Sequence, residues 1–125
     1  MRTATLIVRL LLGLIFTVFG LNGFLHFIPN MSMPQAAGAF FGALFATGYM
    51  VPLIFATQLL GGVLLLIGRL VPFALALLAP VIVNIFLFHI FLDPGGIPLA
   101  IAVAVLELFL AWSYRTAFVP LFTAR

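Results

Sequence analysis

The chain has 125 residues, 66% of them hydrophobic and 6% charged, with five arginines, no lysine, two acids and no cysteine. So few charges cannot furnish the polar shell of a water-soluble domain, and without cysteine there are no disulfides, thiolate metal sites or cysteine nucleophiles. The net charge of +3 comes from arginines standing singly at the ends of apolar runs, which fits orientation in a membrane better than nucleic-acid binding.

A spanning helix takes roughly 20 apolar residues, so four spans with short connections use nearly the whole chain. The expectation is an all-α membrane protein: a single membrane domain over residues 1–125, built as a four-transmembrane-helix bundle with a short interfacial helix between spans one and two.

The first span is predicted over about 4–27. Arg2 and Arg9 ahead of an apolar stretch resemble a signal peptide, but the stretch is too long for an h-region and no small-x-small pattern follows. It is read as a retained span. Pro29 and Pro34 then break the chain. The segment at about 35–47 is helical by pattern and too short to cross. Gln35, Gly38, Gly42 and Ala46 share one side of it, and it carries no basic residue. It is expected in the outer interface or folded back over the bundle.

The second span is predicted over about 49–68 and the third over about 71–92. Their link around Arg69 is short, so they are antiparallel neighbours. Pro80 lies inside span three, where a proline in a membrane bundle means a kink rather than a stop. Asp93-Pro94-Gly95-Gly96 ends that span, and span four is predicted over about 97–118, with Pro98 in its first turn. Leu11-Leu12-Gly13 with Gly20 is faintly echoed by Leu59-Leu60-Gly61 with Gly68.

With an even number of spans, Arg2, Arg9, Arg69, Arg115 and Arg125 all fall on one side and Asp93 on the other. The positive-inside rule then places both termini in the cytoplasm of a multi-pass protein of the cell (inner) membrane.

Ionisable and amide groups within hydrocarbon each need a reason. Glu107 lies near the middle of span four, on a stripe with Ala100, Val103, Ala104, Ala111 and Tyr114, opposite Ile101, Val105, Leu108 and Trp112. Small residues favour close helix contact, so Glu107 is expected to face the bundle. It is either a neutral carboxyl bonded across helices or an acid that carries protons or holds a ligand. Gln58 lies at similar depth in span two and Asn84 slightly nearer the outer face in span three, and the two could join Glu107 in one hydrogen-bonded layer.

His26 and His89 lie near the outer ends of spans one and three. His89 is four residues before Asp93 and Asn22 four before His26, so each pair shares a helical face. Asn22 and His26 lie opposite the stripe of Gly13, Thr17 and Gly20, and only one of these faces can point inward. No spacing suits a metal site, no glycine loop suits a nucleotide, and the histidines are too shallow for haem. No catalytic constellation is expected.

The runs LLLGLIFTVFGLNGFLHFIP, TGY, QLLGGVLLLIGR, PVIVNIFLFHIFLDPGGIP and LELFLAWSYR, taken in order, make the chain resemble the DoxX-like family of small membrane proteins. The resemblance covers nearly the whole chain. It implies a four-helix membrane fold. Its functional implication is looser: the family's name comes from a membrane subunit of a thiosulfate:quinone oxidoreductase, and other relatives act in redox-linked membrane complexes or as membrane-protein chaperones. Family members often carry a glutamate before the glycine pair of span two; here that place is Gln58, so a role needing a charged acid there does not carry over.

The leading expectation is therefore an accessory subunit of a redox complex, embedded in the lipid bilayer beside oxidoreductase subunits, with quinone as the candidate cofactor and no catalytic activity of its own. The alternative is a non-catalytic scaffold or assembly factor docking through glycine-rich faces. A small-solute or proton transporter comes third, and so short a chain would need a homo-oligomer for it. The candidate ligand-binding or proton-carrying residues are Glu107, Gln58, Asn84, His89, Asn22 and His26.

Overall fold

The structure is a computed structural model that describes residues 2–27 and 33–124. Four long helices dominate it: α1 (Arg2–Leu25), α3 (Met50–Ile67), α4 (Val71–Phe91) and α5 (Ile97–Ser113). A shorter helix, α2 (Gln35–Ala46), lies between α1 and α3, and a single turn, α6 (Arg115–Phe118), follows α5. A 3-10 turn at Pro94–Gly96 leads into α5 and another at Val119–Phe122 follows α6. The second break, Pro34, caps the start of α2; Pro29 lies outside the described residues.

Among the described residues four helices are long and apolar enough to cross a membrane. The 24 residues of α1 rise about 36 Å, enough for a ~30 Å hydrocarbon layer with some tilt. Large apolar side chains cover the outside of the bundle, among them Ile7, Leu14, Val83 and Leu108. Such a surface is stable only against lipid. The bundle is that of a membrane protein.

The main contacts run α1 to α3, α3 to α4, α4 to α5 and α5 back to α1. The spans thus form a ring, with α1 across from α4 and α3 across from α5. Leu12, Phe16, Leu65, Leu75, Leu78 and Leu110 fill its centre.

The α1–α3 seam is the tightest, and its register reads off its close approaches. Arg9 lies against Gly68, Gly13 against Gly62 and Leu65, Thr17 against Gly62, and Gly20 against Leu59. One number rises as the other falls, so the helices are antiparallel. The face of Gly13, Thr17 and Gly20 is therefore the inward one, and His26 at the end of α1 is exposed. The echo between spans one and two does not extend to roles. Gly20 lets two backbones approach, whereas Gly68 adopts a left-handed φ of 72° to end α3.

A tight link of Gly68, Arg69 and Leu70 joins α3 to α4. The TGY turn before α3 is built by Thr47, whose hydroxyl donates to the Leu44 carbonyl (2.7 Å) and accepts from the Met50 N–H (3.0 Å). α2 folds back on the bundle: Phe40 meets Phe88 of α4 at a tilt and Phe41 meets it edge-on, at 5.6 and 5.2 Å between ring centroids.

Span four is shorter than the sequence suggests. α5 stops at Ser113, because Tyr114 leaves the helical region with ψ at 22°. The Arg115 guanidinium donates to the Trp112 carbonyl (2.9 Å), satisfying an acceptor the broken helix leaves over. Arg9, Arg69 and Arg115 lie at one end of the bundle, and Asp93 with His26 and His89 at the other.

Candidate functional site

On α5 the residues Ala100, Val103, Glu107 and Leu110 are buried, and Ile101, Val105, Leu108 and Trp112 on the opposite face are exposed. The spacing of three and four places the first set on one helical stripe. Glu107 thus enters the bundle on the same face as the core leucines. It is 8% exposed, and its Oε1 has no hydrogen-bond partner among the described residues. A buried polar atom without a partner is rare and costs free energy, more so against hydrocarbon.

Beside Glu107 a cleft of about 540 Å³ runs between α4 and α5. Leu75, Ala76, Ala79, Ile82 and Val83 wall it from α4, and Ala104, Leu108 and Ala111 from α5. Alanines on both helices leave space that larger side chains would fill. Ala76, Val83 and Leu108 are exposed, so the cleft opens on the outer surface of the bundle. Among its described lining residues Glu107 is the sole polar one. Pro80 lies on the same stretch of α4 and has no N–H to give the Ala76 carbonyl four residues earlier. The cleft is apolar with one acidic residue in its lining, and small-molecule sites are commonly apolar with few polar groups.

The other candidates are dispersed. Gln58 is buried on α3, across the ring from α5. Asn84 is exposed, contrary to the expected three-residue layer. Ile82 is buried, and a residue two places further lies about 200° around the helix. The Asn84 amide instead donates to the Pro80 carbonyl at 2.9 Å.

His89 pairs with the backbone of Asp93 rather than its carboxylate. Nδ1 lies 3.1 Å from the Asp93 carbonyl, which accepts when that nitrogen carries the proton. Its ring lies over Gly96, where a Cβ would collide with it. The turn after α4 is closed this way, so His89 has a structural task. His26 ends α1 with a left-handed φ of 53°, and its N–H donates to the Asn22 carbonyl at 2.8 Å. Asn22 is half-buried on the last turn of α1. No group of His, Asp and Glu among the described residues could hold a metal ion.

Sequence reasoning singled out the acid but not the cleft. The available signal was the pair Ala76 and Ala79 beside Pro80, small residues on the span that faces the alanine stripe of α5.

Fold and surface together define a multi-pass helical membrane protein with an acid-bearing cleft on one side. The chain belongs to the DoxX family, whose model matches residues 4–90. That segment takes in α1 to most of α4, so Glu107 and the α5 wall of the cleft lie beyond it. Nothing among curated proteins or solved structures matches the chain.

Proposed function

We propose that this protein is an accessory membrane subunit of a redox complex whose α4–α5 cleft receives the head group of a quinone. One observation carries the reading: a cleft that opens toward lipid has Glu107 as the one polar residue among its described, otherwise apolar lining. Quinones partition into the bilayer and reach such a cleft from the side. A neutral Glu107 donates a hydrogen bond to a quinone carbonyl; an ionised one accepts from a quinol hydroxyl. The alanines supply room for the ring, and Ile82 and Leu75 its apolar contact. The chain's part is binding and positioning, with electron transfer belonging to a partner subunit. The arginine-bearing end faces the cytoplasm of the cell (inner) membrane, so both termini lie there.

The test is direct. Protein purified in mild detergent is extracted with organic solvent and the extract analysed for quinone. Stoichiometric quinone is expected. Its absence, together with no uptake of added quinone, would sink the reading.

A scaffold role is favoured by one separate feature: Gly38 and Gly42 of α2 face open space, with nothing within 4 Å of a Cβ built on either. Such a face accepts another helix closely. Under that reading Gly42→Leu would impair complex assembly and leave quinone retention unchanged.

A further inference from the structure

At the arginine end a second cavity, of about 580 Å³, lies between the start of α1 and the end of α5. Thr5, Leu6 and Arg9 line it from α1, and Trp112, Ser113, Tyr114 and Arg115 from the other side. It differs in kind from the α4–α5 cleft. Two guanidiniums, two aliphatic hydroxyls and a phenol surround it, and no acid does.

The chain holds two acids, Asp93 and Glu107. Asp93 stands at the opposite end of the bundle, and Glu107 is among the residues that line the other cleft. The arginines here are therefore without a counter-charge in the lining. Arg9 is half-buried, packed on Gly68 at the end of α3, and its Nε is buried with no hydrogen-bond partner among the described residues. Arg115 is fixed by two contacts. One N–H donates to the Trp112 carbonyl at 2.9 Å, and the guanidinium lies 4.4 Å from the centroid of the Trp112 ring. That leaves its remaining donors free to bond outward. Thr5 and Ser113 are tied across the helices by a hydrogen bond of 3.3 Å, which brings α1 and α5 together at this level.

We propose that this cavity is a binding site for the phosphate of an anionic glycerophospholipid. Guanidinium forks match phosphate oxygens, and arginine is the residue that pairs with them in two-point contacts. The depth fits. Trp112 and Tyr114 are the side chains that settle at the level of lipid head groups, and basic pockets between spanning helices there take anionic lipid heads. The exposed apolar side chains of α1 at and next to it, Leu6, Ile7 and Leu10, offer the surface along which acyl chains would lie.

The experiment compares lipid retention by native mass spectrometry. Whole protein is exchanged into micelles carrying equal phosphatidylglycerol and phosphatidylcholine. The native chain is expected to retain phosphatidylglycerol preferentially. Arg115→Gln, an exposed change, should lose about fivefold of that preference, and the Arg9→Gln/Arg115→Gln pair about thirtyfold. Arg69→Gln, at the same end but outside the cavity lining, should lose none. Equal loss in Arg69→Gln would reduce the effect to general surface charge and overturn the site. An unchanged preference in Arg115→Gln would overturn it too, and this variant stands even if the double variant fails to fold. A further arm adds inorganic phosphate to native protein in phosphatidylcholine alone. Thermal stabilisation there that matches the effect of phosphatidylglycerol would assign the cavity to a soluble anion and overturn the lipid.

Discussion

Two of the four helix seams of this bundle, α1–α3 and α4–α5, carry small residues, yet one is closed and the other open. Between α1 and α3 the small residues are glycines on both helices, and they meet. A Cβ built on Gly62 would lie 2.5 Å from the Thr17 backbone nitrogen and 2.9 Å from the Gly13 carbonyl oxygen. Between α4 and α5 the small residues are alanines, flanked by Leu75, Ile82 and Leu108. Those larger neighbours hold the backbones apart, and the alanines then line a gap instead of filling one. The closed glycine seam holds the fold, and the open alanine seam is where the proposed ligand would sit.

The largest effect is expected from breaking the closed seam. Gly62→Ala puts a methyl against backbone atoms that cannot swing aside, so α1 and α3 must separate. Overpacking of this kind costs about 1–3 kcal/mol, and thermal unfolding in detergent should show it as a clear drop in midpoint. An unchanged midpoint would mean the seam is looser than described.

Filling the open seam should leave stability nearly intact and remove binding. Ala104→Phe fills the cleft from the α5 side and leaves Glu107 itself unchanged. Quinone retention should fall below detection, while the midpoint moves little. Retention equal to that of the native chain would place the ligand elsewhere.

Changes at Glu107 sharpen the comparison. Glu107→Leu removes the hydrogen bond and should weaken quinone binding about tenfold, the value of roughly one good hydrogen bond. Glu107→Gln keeps shape and a donor, so binding should persist in part, while support of the partner complex is lost if proton exchange matters. A Gln variant that is fully active in the complex would give Glu107 a structural task only.

The smallest effect belongs to a glycine outside both seams. Gly42→Ala meets nothing within 4 Å, and alanine is the better helix former. The midpoint should stay or rise slightly, by less than about 1 kcal/mol in stability terms.

Much of this was legible in the sequence, for reasons particular to each part. The spans follow from the bilayer's demand for long apolar helices, and the gathering of Arg9, Arg69 and Arg115 at one end from the difficulty of placing charge in hydrocarbon. The outward set of Ile101, Val105, Leu108 and Trp112 follows from helical phase alone. What one helix cannot reveal is its partner. The periodicity of α1 sets Gly13 and Thr17 opposite Asn22 and His26, but only Gly62 on α3 decides which face turns inward. Asn84 shows the same limit. Its phase relative to Ile82 turns it outward, where the Pro80 carbonyl takes its amide. The early end of α5 at Ser113 has no composition signal, because Tyr114 and the residues after it are as helix-compatible as those before.

Trp112 offers the most direct measurement. It is the single tryptophan of the chain, on the outward face of α5 and one residue after Ala111, which lines the cleft. Quinones quench indole fluorescence at short range. Native protein in nanodiscs, titrated with a short-chain quinone, should show quenching that saturates, and Ala104→Phe under the same titration should show only the gradual, unsaturating decline of quinone dissolved in lipid. Unsaturating curves of equal slope for both proteins would contradict a quinone seated between α4 and α5.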